Sequence, residues 1–200
     1  MSSAPTFSDE LERWLRSDVS KTLGSLSTVF AEKSFAVTIL LLMFPAALPL
    51  PTGGVTHVFE AITVVLAVQM VLGRRTLWLP DRWTARELGP TTTDKAIPFM
   101  LRVIRRFERL SRPRGAGIFH HRWATRLCGL LLGGLATAAA LAPPFSGLDT
   151  LPALGAVAVC LAIILEDVVV LGVGVGVGAG GTVIILTVGA AVVRLVQRLV

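Results

Sequence analysis

The sequence predicts an all-α membrane protein: two related helical hairpins, each broken by Pro and Gly, with a Gly-rich C-terminal transmembrane helix and amphipathic surface helices. Apolar residues make up 53% of the 200-residue chain and charged residues only 16%, with a mean hydropathy of +0.72. That balance is too oily for a fold solvated by water alone. Four apolar runs fall into two pairs, and a Pro/Gly cluster splits each pair. A last run, Val168 to Val193, holds no charged residue in twenty-six positions and is long enough to span a bilayer with tilt.

Residues 1–34 form the first segment. Leu11, Trp14, Leu15, Val19, Leu23, Leu26, Val29 and Phe30 recur mostly at three- and four-residue steps with charges between them, the pattern of an amphipathic helix broken near Gly24. Asp9, Glu10, Glu12 and Asp18 precede the first apolar run, the wrong start for a cleavable signal peptide, so the apolar segments are expected to remain in the mature protein.

The first hairpin occupies 35–73. Phe35 to Leu48 is uncharged, then Pro49, Pro51, Gly53 and Gly54 interrupt, and Val55 to Gly73 resumes. The second hairpin, 127–166, follows the same plan: Cys128 to Ala142, then Pro143, Pro144 and Gly147, then Thr150 to Leu165. A shift of 93 residues superposes Ala46-Ala47-Leu48 on Ala139-Ala140-Leu141, Pro51 on Pro144, Gly54 on Gly147, Val64 on Val157 and Leu72 on Leu165. The coincidence of both breaks with both helix pairs reads as an internal repeat. Matching breaks in short apolar segments mark discontinuous helices in transporters, or they are turns at the far membrane face. Both readings stand at this point.

Segment 167–200 contains the last run. Its Val-Gly alternation has a strand-like period, but an isolated strand would leave backbone groups unbonded in lipid, so a helix is expected. Gly172, Gly176 and Gly180 form one small-residue row and Gly174 and Gly178 another, each allowing close approach of a helix from this chain or from a second copy.

Between the hairpins, segment 74–126 carries thirteen Arg/Lys against four Asp/Glu. Apolar runs on both sides make this the positive-inside signature of a cytoplasmic loop rather than a nucleic-acid surface. The N-terminus is then cytoplasmic too, and the hairpins are related as a parallel repeat. Within the loop, Phe99, Val103, Phe107 and Leu110 alternate with Arg102, Arg105, Arg106 and Arg109, which predicts a basic interfacial helix against anionic lipid, with Trp78, Trp83 and Trp123 at headgroup level.

Ionisable groups inside apolar segments are expensive and so are the first functional candidates: His57, Glu60 and Asp149, with Thr52, Thr56 and Ser146 nearby. His57 and Glu60 stand three apart on one helical face, within reach of each other. One reading is a proton- or ion-linked site near a pseudo-twofold axis; the other assigns Asp149 and the threonines to helix capping. Arg74 and Asp167 are equivalent under the repeat shift and could pair. Cys128 and Cys160 lie in apolar runs, which argues against a disulfide. No nucleotide, metal or nucleophile signature is present, and His120-His121 has no companion ligand close in sequence. No cofactor and no enzymatic activity are expected.

Gly73-Arg74-Arg75, Trp78-Leu79-Pro80, Arg105-Arg106-Phe107-Glu108-Arg109-Leu110, Arg112-Pro113-Arg114, Pro143-Pro144 and Thr150-Leu151-Pro152-Ala153-Leu154, in this order, resemble the ExoD exopolysaccharide synthesis family from about Leu23 to Val193. Glu166-Asp167 departs from the acidic–basic pair expected to close the second hairpin. The resemblance implies a bacterial inner-membrane protein needed for exopolysaccharide production, with exopolysaccharide-assembly proteins as partners; the basic helix adds membrane lipids and the glycine rows a second copy, and the alternative functions are a small proton- or ion-coupled transporter with its site at the two breaks and a lipid or polyprenyl-carrier binding protein. The resemblance implies no catalytic residue.

Overall fold

The computed structural model describes residues 7–20, 22, 25, 33–48, 55–74, 77–78, 97–110, 114–119, 121–143 and 146–199. The regular elements among them are α-helices: α1 Phe7–Arg16, α2 Ser34–Met43, α3 Val55–Val71, α4 Ile97–Leu110, α5 Ala116–Phe119, α6 Arg122–Ala140, α7 Thr150–Leu165 and α8 Val168–Leu199. Pro49, Pro51, Thr52, Gly53, Gly54 and Pro144, with Gly24, Trp83 and His120, lie outside the described residues.

Four of the helices close a ring. α2 packs on α3 and α7, and α6 packs on the same two from the other side, so the order around the ring is α2, α3, α6, α7. α3 and α6 run antiparallel: Gly73 lies beside Arg126, and Gly129 and Gly133 both lie against Ala67. α2 is apolar on every side and correspondingly buried, from Phe35 through Leu40 and again at Met43, as a helix with no polar face must be.

α8 folds back antiparallel along α7 and touches α6. Val and Gly are poor helix formers, so packing and backbone hydrogen bonding rather than propensity decide its state. A Cβ on Gly155 would stand 2.5 Å from Gly178 Cα, and one on Gly174 would stand 2.9 Å from Val159 N. The two backbones touch because no side chain separates them. Gly172, Gly176 and Gly180 face open space instead. By length and composition, Arg122–Ala140 and Val168–Ala191 are long and apolar enough to cross a membrane.

α4 carries a second apolar row beside the one read from the sequence. Ile97, Met100, Leu101 and Ile104 enter the core, while Phe99 and Phe107 stay partly exposed. Following the phenylalanines had hidden this second apolar row. α4 is joined to α1 by Ser8, whose N–H and Oγ both donate to Glu108, and by an Arg105–Glu12 ion pair, with Leu11 and Trp14 of α1 buried in the same core. The Phe99 ring meets Phe44, just past the end of α2, at 5.5 Å. Beyond the other end of α4, Gly115 N donates to Glu166 O at the end of α7, and Glu166 pairs with Lys33 at the start of α2. α4 is thus tied to α1, and its first turn reaches the end of α2 through Phe99.

Candidate functional site

The inner face of α3 is polar over its first half. Thr56, Glu60 and Thr63 are spaced four and three apart, and all three are buried, whereas the same face further on is Leu66, Ala67 and Met70. Spacing alone sets this: positions 56, 60, 63, 67 and 70 lie one above another on a 3.6-residue helix. α2 adds a fourth buried polar side chain, Thr38.

Glu60 is the central group. Its side chain is fully buried, and Oε2 lies 2.7 Å from Nδ1 of His57, which keeps 31% of its side chain exposed. Oε1 has no hydrogen-bond partner among the described residues, nor do the hydroxyls of Thr38 and Thr63. A buried carboxylate oxygen without a donor costs several kcal/mol if the group is charged and alone. The His57 contact leaves two low-cost states: neutral imidazole with protonated carboxyl, or imidazolium with carboxylate. They differ only in which partner holds one proton.

Asp149 interacts electrostatically with Glu60, so the residues flagged from both hairpins share one region of the bundle. Asp149 occupies the N-cap position of α7 in helical conformation and makes no side-chain capping bond. Ser146 does not join them: its hydroxyl donates to Pro143 O at 2.6 Å and accepts from Leu148 N at 3.2 Å in an exposed turn. Gly147 supplies the positive φ of +68° in that turn, a conformation glycine adopts without penalty. Thr38 and Thr63 had escaped the sequence reading; a hydroxyl three residues beyond Glu60 on an otherwise apolar face was the available signal.

At the opposite end of the bundle the ion pair is Lys33–Glu166, at 3.0 Å. Arg74 and Asp167 make no ion pair with each other. Asp167 is 2% exposed, and its Oδ1 accepts from Val169 N at 2.9 Å as the N-cap of α8. An Asp immediately before a long apolar run is the usual sequence sign of such a cap. Gln69 is also buried and structural: it holds Trp78 by a pair of hydrogen bonds, 3.0 Å to the carbonyl and 2.9 Å from the N–H.

Residues 7–187 match the family described as exopolysaccharide synthesis, ExoD. The chain belongs to the ExoD family. Protein ExoD of Rhizobium meliloti is 29% identical over 152 residues, which cover 73% of this chain and 61% of that protein. An uncharacterized protein of Synechocystis is 28% identical over 132 residues, 66% of this chain and again 61% of the relative. This ExoD-family chain thus matches about three-fifths of the length of those curated relatives. No solved structure matches it.

Proposed function

We propose that this ExoD-family chain is an integral membrane protein of bacterial exopolysaccharide production, working without covalent catalysis through a proton relay formed by His57 and Glu60. The family description supplies the link to exopolysaccharide. Membrane integration is supported by Val168–Ala191, an apolar stretch only 22% buried within the fold; the core helix of a soluble protein would be mostly covered. Val169, Val173, Val183 and Leu186 of this helix, Val58, Val65 and Val68 of α3, and Leu127 and Leu130 of α6 all face outward.

The observation that carries the relay is the burial of Glu60 with one oxygen unpartnered among the described residues and the other on an imidazole whose side chain is 31% exposed. The imidazole gives a proton to Glu60 Oε2 and takes another from solvent, and the carboxyl releases its proton from Oε1 to water admitted beside the unpartnered hydroxyls of Thr63 and Thr38. Alternate packing of the two hairpins supports the internal repeat behind this site: exchanging α2 with α6 and α3 with α7 carries the ring of contacts onto itself. The open glycine row at 172, 176 and 180 leaves room for a second copy, which makes a homodimer part of the proposal.

Two measurements test the relay together. In a strain lacking this protein, wild type restores exopolysaccharide and E60Q, inserted at normal levels, does not. In proteoliposomes under a pH gradient, wild type passes protons and E60Q and H57N pass them no faster than empty vesicles. Full restoration by E60Q, or equal flux in the variants, would rule the relay out.

A further inference from the structure

The end of the bundle away from Glu60 encloses a cavity of about 250 Å³ that the relay does not use. Its wall carries three cations, Lys33, Arg74 and Arg122, and a single acid, Glu166, with Thr125 between them; the deeper wall is apolar, including Phe35 and Met70. Lys33 is already engaged, by Glu166 at 3.0 Å and by Ile164 O at 2.8 Å. Arg74 and Arg122 have no ion pair among the described residues. Two guanidinium groups without an ion pair among the described residues therefore share one concave site with the Lys33–Glu166 pair, and the Arg126 guanidinium lies against Gly73 at its edge.

The backbone adds to the same field. α2 and α6 both begin at this cavity, and neither has a side-chain capping bond at its first turn, so the partial positive ends of two helices point the same way as the arginines. Glu166, on the cavity wall, is the C-cap of α7 and takes the left-handed conformation, φ +55°, in which helices commonly end. The Lys33 contact and the Gly115 N–H on its carbonyl, at 3.1 Å, fix it there.

We infer that this cavity binds a phosphate or diphosphate group, held by Arg74 and Arg122. Guanidinium forks match phosphate oxygens in pairs, and two of them balance a dianion. The volume holds roughly eight waters at about 30 Å³ each, enough for a diphosphate and too little for an acyl chain, so any chain on the ligand lies outside along the exposed apolar faces. A lipid phosphate headgroup and a soluble phosphate ester present the same chemistry to these residues. The inference uses no part of the His57–Glu60 relay and stands or falls separately.

Purified full-length protein decides it, with pyrophosphate as the soluble probe and nanodiscs of phosphatidic acid or phosphatidylcholine as the lipid probes. Binding of pyrophosphate, or retention of phosphatidic acid over phosphatidylcholine in native mass spectrometry, is expected; which of the two binds assigns the source. R74Q/R122Q should weaken that binding by about tenfold or more, since charge-assisted hydrogen bonds are the strong ones, and R102Q on α4 should not change it. Both arginines are exposed at the cavity mouth, so their loss leaves the core intact, and wild-type binding that falls steeply with added salt gives a second check without any variant. Absence of binding by both probes, or unchanged binding by R74Q/R122Q, would overturn the assignment.

Discussion

Glu60 costs the fold stability and has no structural partner to justify it. Its one hydrogen bond goes to a side chain that solvent could satisfy equally well. Replacing a buried ionisable group by an apolar one of similar volume is neutral or stabilising by on the order of 1–3 kcal/mol, so Glu60→Met should raise the melting temperature while removing exopolysaccharide production. A thermal-unfolding series with matched complementation separates the two effects; a destabilised Glu60→Met protein would mark Glu60 as a packing residue. Asp167 makes the opposite case. Its Oδ1 caps α8, so Asp167→Ala should cost about 1–2 kcal/mol with Asp167→Asn close to wild type, measured by denaturant midpoint. Both residues were visible in the sequence, Glu60 as a charge inside an apolar run and Asp167 as one at the border of another. What the sequence withheld was their role, because a cap and a buried acid differ only in what surrounds them.

Among the elements, the glycines at the contact of α7 with α8 should behave differently from the open row of α8. At Gly155 an added methyl would meet the Gly178 backbone at 2.5 Å, which cannot yield, whereas at Gly178 it would meet the end of Leu135. Gly155→Ala is therefore expected to cost about 1–3 kcal/mol, more than Gly178→Ala. Gly176→Ala meets nothing within this chain and should stabilise the helix by about 1 kcal/mol. Thermal unfolding of the three purified variants ranks them, and an equal cost at all three positions would contradict the packing described. The spacing of the glycines was legible, and so were the helix starts at Ser34, Val55 and Thr150, which follow breaks in the apolar pattern. Two things were not. The row that packs depends on the rotation of α8 about its own axis, and α6 begins at Arg122, inside the basic segment, because nothing in its charged first turn announces a helix. α4 is a related case: it has apolar residues on two faces, and only contact with the rest of the core decides that Ile97, Met100, Leu101 and Ile104 are the ones covered.

Across the whole molecule, exposure divides the surface into an apolar flank, made by α8 and the outer sides of α3 and α6, and a charged one made by α1 and α4. Single cysteines read this division directly, since Cys128 and Cys160 are both buried and contribute little background. Arg102→Cys should react quickly with a membrane-impermeant maleimide in vesicles open to both sides, and Val183→Cys should react only with a lipid-soluble reagent; equal rates would mean that α8 does not face lipid. That the described elements are helices followed from composition and run length alone. The closure of four helices into a ring did not, since it depends on long-range pairs such as Ala67 with Gly133 that no local pattern encodes.

The junction of α1 with α4 has a consequence for what this flank could meet. Arg102 and Arg105 are exposed there and Glu12 pairs with Arg105, and lipid tails do not solvate guanidinium groups. In the bilayer proposed above, lipid would cover the α8 side and give way to water or another protein at α1 and α4. The lipid shell would then be a crescent, and fewer lipids should copurify with the protein than its perimeter would hold.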